Sequence, residues 1–185
     1  MTEIEYSRAS DATTLCKACG LCCTGHLFSW VRLKAVELTS LQKLGLNVIR
    51  SDPRQRGFTQ PCPMWNGECT IYESHHYPRG CDSYKCKLLR ELLDESVVLP
   101  KALRVVKQAK EKIRAVEKLL PASAHRSFRD RLIEWLESEN NSAKPDSADS
   151  EYRWKAGELL DFFEKQFGVN DFLDLPESSQ ITQDT

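Results

Sequence analysis

Eight cysteines lie between Cys16 and Cys86 of the 185-residue chain, and none lies elsewhere. Four form one run, Cys16-Lys17-Ala18-Cys19-Gly20-Leu21-Cys22-Cys23, and the others are Cys62, Cys69, Cys81 and Cys86. Thiols clustered in this way either pair as disulfides or hold metal as thiolates. The two-residue gaps let neighbouring thiolates converge on one centre from a tight turn. Gly20, inside the run, supplies the backbone freedom such a turn needs. Cys22 and Cys23 are adjacent, so their side chains tend to point apart. Either they serve two centres, or one ligates while the other packs or reacts. Eight thiols could fill two four-coordinate sites, and their order alone does not give the pairing.

The compartment expected from the sequence favours metal. Met1 to Leu15 carry Glu3, Glu5, Arg8 and Asp11 and no apolar run, whereas a secretory signal has a basic start and roughly 7–15 apolar residues. No stretch approaches the roughly 20 apolar residues of a membrane span. A cytoplasmic protein in a reducing compartment is therefore expected, where disulfides are rare. Lys and Arg number 26 and Asp and Glu 27, interleaved throughout, for a formal net charge of −1. That balance implies neither nucleic acid nor membrane as a partner.

All-thiolate sites suit zinc or iron–sulfur clusters and exclude calcium and magnesium. Zinc would give closed structural sites. In an iron–sulfur arrangement, three close thiolates hold a cluster that a distant cysteine completes. Cys16, Cys19 and one of Cys22 and Cys23 would then be joined by a cysteine of the second group. The residues leave zinc and iron both open. His26, three residues after Cys23, is a spare ligand, and His75 and His76 are weaker ones. His125 is expected to start a helix and face solvent. Asp82 and Glu73 flank the cysteines and read as surface residues. No catalytic constellation is present: there is no Gly-x-Gly-x-x-Gly after a strand, no Gly-x-Ser-x-Gly and no His-Glu-x-x-His. Catalytic residues are therefore unassigned, although a thiol left over at Cys22 or Cys23 could be reactive.

The elements that must position these thiols fall into two parts. The sequence predicts a mostly α protein with a small irregular, Cys-rich, metal-stapled α+β region. The Cys-cluster domain spans 12–95, a helical region 96–170 with a linker at about 139–150, and a flexible tail 171–185. Within the first part, Leu27 to Leu33 has strand character. Thr39 or Ser40 could cap a short helix stopped at Gly45. Asn66-Gly67 is a two-residue hairpin signal that would return Cys69 toward Cys62. Helical stretches follow. Lys87 to Glu95 carries four leucines. A second helix opens at Pro100 and ends at Pro121, with a stripe at Leu103, Val106, Ala109, Ile113, Val116 and Leu120. A third runs from about Ser123 to Glu137. The fourth, Glu151 to Phe167, carries Trp154, Leu159, Leu160, Phe163 and Phe167 and stops at Gly168. These apolar stripes read first as core, and second as a surface for a protein partner.

The ordered set Cys-x-x-Cys-Gly-x-Cys-Cys, Pro61-Cys62-Pro63, Gly67-Glu68-Cys69-Thr70-Ile71-Tyr72-Glu73, then Pro78, Cys81, Tyr84 and Cys86 resembles the bacterial YkgJ-like cysteine-cluster family, a zinc- or iron-chelating domain. A version of the same cluster occurs in flagellin lysine N-methylases. The resemblance covers about Cys16 to Cys86, under half of the chain. It implies a metal-binding protein whose cluster chelates zinc or iron, an iron–sulfur cluster included. It implies, as the alternative, an enzyme of the lysine N-methylase type that uses the cluster. The family has an Arg-Pro pair after its Tyr-Glu; here Tyr77-Pro78 stands in that place, and Arg79 could take over the arginine's role.

Overall fold

The computed structural model describes residues 3–121, 123, 126–140 and 147–171. The expectations for His125 and for residues 172–185 of the tail lie outside the described residues. In chain order the elements are α1 (Glu3–Cys19), β1 (Trp30–Arg32), a 3-10 turn (Ala35–Glu37), α2 (Leu38–Lys43), β2 (Val48–Ile49), β3 (Gly57–Thr59), α3 (Arg79–Ser83), α4 (Lys87–Leu93), α5 (Leu99–Glu117), α6 (Phe128–Asn140) and α7 (Ser147–Phe167). The fold is mostly helical with one small antiparallel sheet of strand order β1-β3-β2.

Helix α1 has no counterpart in the sequence reading. Ala12, Leu15, Cys16 and Cys19 recur at helical spacing and pack against the larger core. Read as ligands, the two cysteines were not counted as an apolar face, yet a thiol packs as a small hydrophobe. Gly20 ends the helix at φ 69°, the left-handed conformation that suits a residue just past a helix C-terminus. Lys110, from α5, donates to the Ala18 carbonyl at 2.8 Å and satisfies one of the last carbonyls of α1.

Two apolar cores result. The larger gathers Leu15, Leu21 and Leu27 with residues of α4, α5, α6 and α7. Helix α5 contributes Ala102, Val106, Ala109, Ile113 and Val116, all buried, with Pro100 in its first turn as the sequence predicts. The smaller core holds Leu33, Leu38, Leu41, Leu46 and Phe58, around the sheet and α2. In the sheet, Phe58 sits opposite Val31 on one side and Val48 on the other.

Several boundaries differ from expectation. Only Trp30–Arg32 of the Leu27–Leu33 stretch pairs as a strand, because Leu27 turns into the larger core instead. Helix α2 starts at Leu38, after a turn in which the Lys34 N–H donates to the Glu37 carboxylate at 2.7 Å, so neither Thr39 nor Ser40 caps it. Helix α6 begins at Phe128 rather than Ser123. Ser127 sets that start: its hydroxyl accepts the Asp130 N–H at 3.1 Å, and the Asp130 carboxylate accepts the Ser127 N–H at 3.3 Å. In α7 the buried face is Tyr152, Ala156, Leu159, Phe163 and Phe167. Trp154 projects from the opposite side and is 62% exposed.

Candidate metal centre

The eight cysteines arrive from five kinds of local structure. Cys16 and Cys19 stand three residues apart on the last turn of α1, hence on one face. The two-residue gap here is a helical turn, not the tight turn expected from the spacing. After Gly20 the chain turns through Thr24 and Gly25, and Cys22 and Cys23 lie in that turn. The Cys62 N–H donates to the Cys23 carbonyl at 2.7 Å, which fixes the second stretch against the first. Cys69 returns toward Cys62 through the Asn66-Gly67 turn, closed by a bridge between Trp65 and Cys69. Cys81 sits in α3, which approaches β1 closely at Gly80: a Cβ there would lie 2.6 Å from the Arg32 carbonyl oxygen. Cys86 is the N-cap residue of α4.

None of the eight forms a disulfide, and each is half-buried. Their neighbourhoods divide. Cys16, Cys19, Cys22 and Cys86 pack against the larger core. Cys62 and Cys81 pack against the smaller one. The electrostatics divide the same way. Burial pushes the Cys16 thiol up to about 11, with the Cys86 thiolate the next cause. Burial pushes Cys19 up to about 12, and Cys86 and Cys16 add to it. Cys22 is raised well above the ordinary value by burial and then by Cys19 and Cys86, with Cys23 and Cys16 following. Burial also raises Cys23, but its thiol neighbours are first Cys69, Cys62 and Cys81, and then Cys19. Cys81 is pushed up to about 12 by burial, then by Cys62 and Cys69. Cys62 is raised by burial and by Cys69.

Backbone amides oppose burial at four of the cysteines, at three of them from two residues on. The Leu21 N–H favours the Cys19 thiolate, the Met64 N–H that of Cys62, and the Ile71 N–H that of Cys69. At Cys86 the N–H groups of Leu89 and then Leu88, at the start of α4, favour the thiolate, and the side chain closes no capping hydrogen bond. Lys85 and Arg90 act in the same direction at Cys16 and Cys86, as do Lys110 at Cys19 and Lys17 at Cys69. The Tyr72 hydroxyl donates to the Cys16 thiolate.

Seven of the cysteines, all but Cys62, line one cavity of about 520 Å³, together with Phe28, Tyr72, Tyr77 and Tyr84. Arg79, the residue expected to substitute for the family arginine, is also in its wall. His26, His75 and His76 are not among the residues that line this cavity. His26 stacks on Phe128 with ring centroids 4.9 Å apart, and its Nδ1 is 2.6 Å from the Thr24 hydroxyl. Burial lowers its pKa to about 4. His75 and His76 stack on each other in the loop before α3, at 3.8 Å. Among the described residues no group of three or more Cys, His, Asp or Glu side chains is arranged so that it could hold a metal ion. Closing thiols on an ion would therefore need side-chain rotation.

Tyr72 and Tyr84 belong to the ordered set read from the sequence and Tyr77 precedes its Pro78, but neither their place in the cavity wall nor the amides that favour the Cys19, Cys62, Cys69 and Cys86 thiolates were anticipated there. Tyr72 and Tyr84 flank Cys69 and Cys86 in the chain, which is the signal that could have found them. No protein-family model matches the chain, and no curated protein or solved structure matches it significantly.

Proposed function

We propose that this chain is a cytoplasmic metal-binding protein whose cysteine cluster chelates zinc or iron, an iron–sulfur cluster included. The observation that carries the reading is the set of eight unpaired, half-buried thiols, of which Cys19, Cys62 and Cys69 are favoured as thiolates by the N–H two residues on and Cys86 by those of Leu89 and Leu88. Such amide groups stabilise thiolate ligands and tune the centre they hold. The donor set suits the group: thiolate sulfur selects zinc or iron–sulfur clusters over hard cations. The resemblance to the YkgJ-like cysteine-cluster family supports the same reading. Purification without oxygen, followed by assay of zinc, iron and sulfide, tests it. Stoichiometric metal is expected. Folded, metal-free protein with its thiols paired in disulfides would overturn it.

One observation favours a second reading, an enzyme of the lysine N-methylase type. The thiol-lined cavity of about 520 Å³ falls in the range of small-molecule sites, about 300–1,000 Å³. Its aromatic walls suit a cationic methyl donor. Calorimetry of the metal-loaded protein with a sulfonium methyl donor tests this reading: saturable binding supports it, and no heat of binding removes it.

A further inference from the structure

We propose that the eight thiols form two separate four-thiolate metal centres, divided at the Cys22–Cys23 peptide bond. The first comprises Cys16, Cys19, Cys22 and Cys86, within the helical core. The second comprises Cys23, Cys62, Cys69 and Cys81, beside the sheet. This inference rests on the metal-binding reading and sharpens it.

Two features of the structure draw the same line. Packing is the first: the four thiols of the first set all touch the larger core, whereas Cys62 and Cys81 touch the smaller. Backbone connection is the second. Cys16 and Cys19 share the last helical turn of α1, whereas Cys23 is tied by its carbonyl to the Cys62 N–H at 2.7 Å. The Trp65–Cys69 bridge then folds Cys69 back toward Cys62.

Adjacent side chains tend to point apart, and a division between Cys22 and Cys23 accords with that. Each set then offers four thiolates, the number a closed tetrahedral zinc site or a four-cysteine iron–sulfur cluster takes. On loading with zinc, each S–H bond is replaced by a sulfur–zinc bond and the proton goes to solvent, with no change of oxidation state. The second centre lies among short elements around a five-residue core, so it opens more readily than the first.

Stepwise metal removal from the protein purified without oxygen tests the division. EDTA is added in increments, freed thiols are trapped with iodoacetamide, and the labelled positions are read by peptide mass. The expected result is two phases: Cys23, Cys62, Cys69 and Cys81 first, then Cys16, Cys19, Cys22 and Cys86. In parallel, Cys16→Ser and Cys81→Ser should each lower the metal content about twofold, each leaving the opposite set protected from iodoacetamide. Labelling of all eight in one phase, of mixed sets, or of Cys22 together with Cys23 would overturn the division while leaving metal binding intact. Protein that binds no metal at all would overturn the metal-binding reading and the division with it. The labelling uses the unaltered chain, so a serine variant that fails to fold does not remove the test.

Discussion

Cys19 shows the balance struck at a single ligand. Burial pushes its thiol up to about 12, and the Leu21 N–H works in the opposite direction. Such a thiol holds its proton at neutral pH, so metal must displace it, and affinity on the proposed reading rises with pH. His26 is a separate titration, since its ring stacks on Phe128 and its causes of shift include no thiol. Its folded pKa of about 4 lies below the ordinary 6.5. The unfolded chain therefore takes up the proton first on acidification. Stability from the neutral ring is complete above about pH 6.5, is lost as the pH falls toward about 4, and levels off below it. The full difference is about 3 kcal/mol. His26→Gln should flatten this part of the pH–stability curve in chemical denaturation; an unchanged slope between these limits would show that the ring titrates freely.

At the scale of elements, the end of α1 is where chain direction and thiol placement meet. Gly20 has φ 69°, and a Cβ there would lie 2.1 Å from the Trp65 ring. Gly20→Ala should therefore cost about 2–3 kcal/mol, from the left-handed backbone and from overpacking together. Thermal melting checks this, and an unaltered midpoint would mean that Trp65 moves aside freely. Helix α5 gives a second test. Ile113 is 3% exposed, so Ile113→Asp should lose about 3–5 kcal/mol as an unpaired buried charge. A variant with unaltered melting would show that this face is not core. The α5 stripe was legible because its apolar residues keep one period over nineteen residues. Helix α1 was not, because its buried face is made partly of cysteine and alanine. The start of α6 was misplaced because Ser127 and Asp130, not Ser123, form the cap. The eight thiols themselves were plain in the sequence, but their neighbours were not: order along the chain does not reveal that Cys86 lies with Cys16 while Cys81 lies with Cys62.

Across the whole molecule, the larger core ties the thiol-bearing turn to the helices. Leu21 and Leu27, on either side of Cys22 and Cys23, are buried with Ile113, Leu132 and Phe163. Arg129 reinforces the tie: from α6 it donates to the Leu27 carbonyl at 2.9 Å and to the Asp171 carbonyl at 2.8 Å. Metal release by a chelator should therefore loosen α5 and α6 as well as the sheet. Hydrogen exchange reads this directly, and helix amides with unchanged protection would show that the two regions are energetically independent. Among the described residues no helix is long and apolar enough to cross a membrane. On the proposed reading, cysteine sulfur holds metal in this chain. X-ray absorption at the zinc and iron edges, on protein purified without oxygen, tests it most directly. A first shell of sulfur at about 2.3 Å is expected. A first shell of nitrogen and oxygen alone, or folded protein with neither metal at the edge, would contradict it.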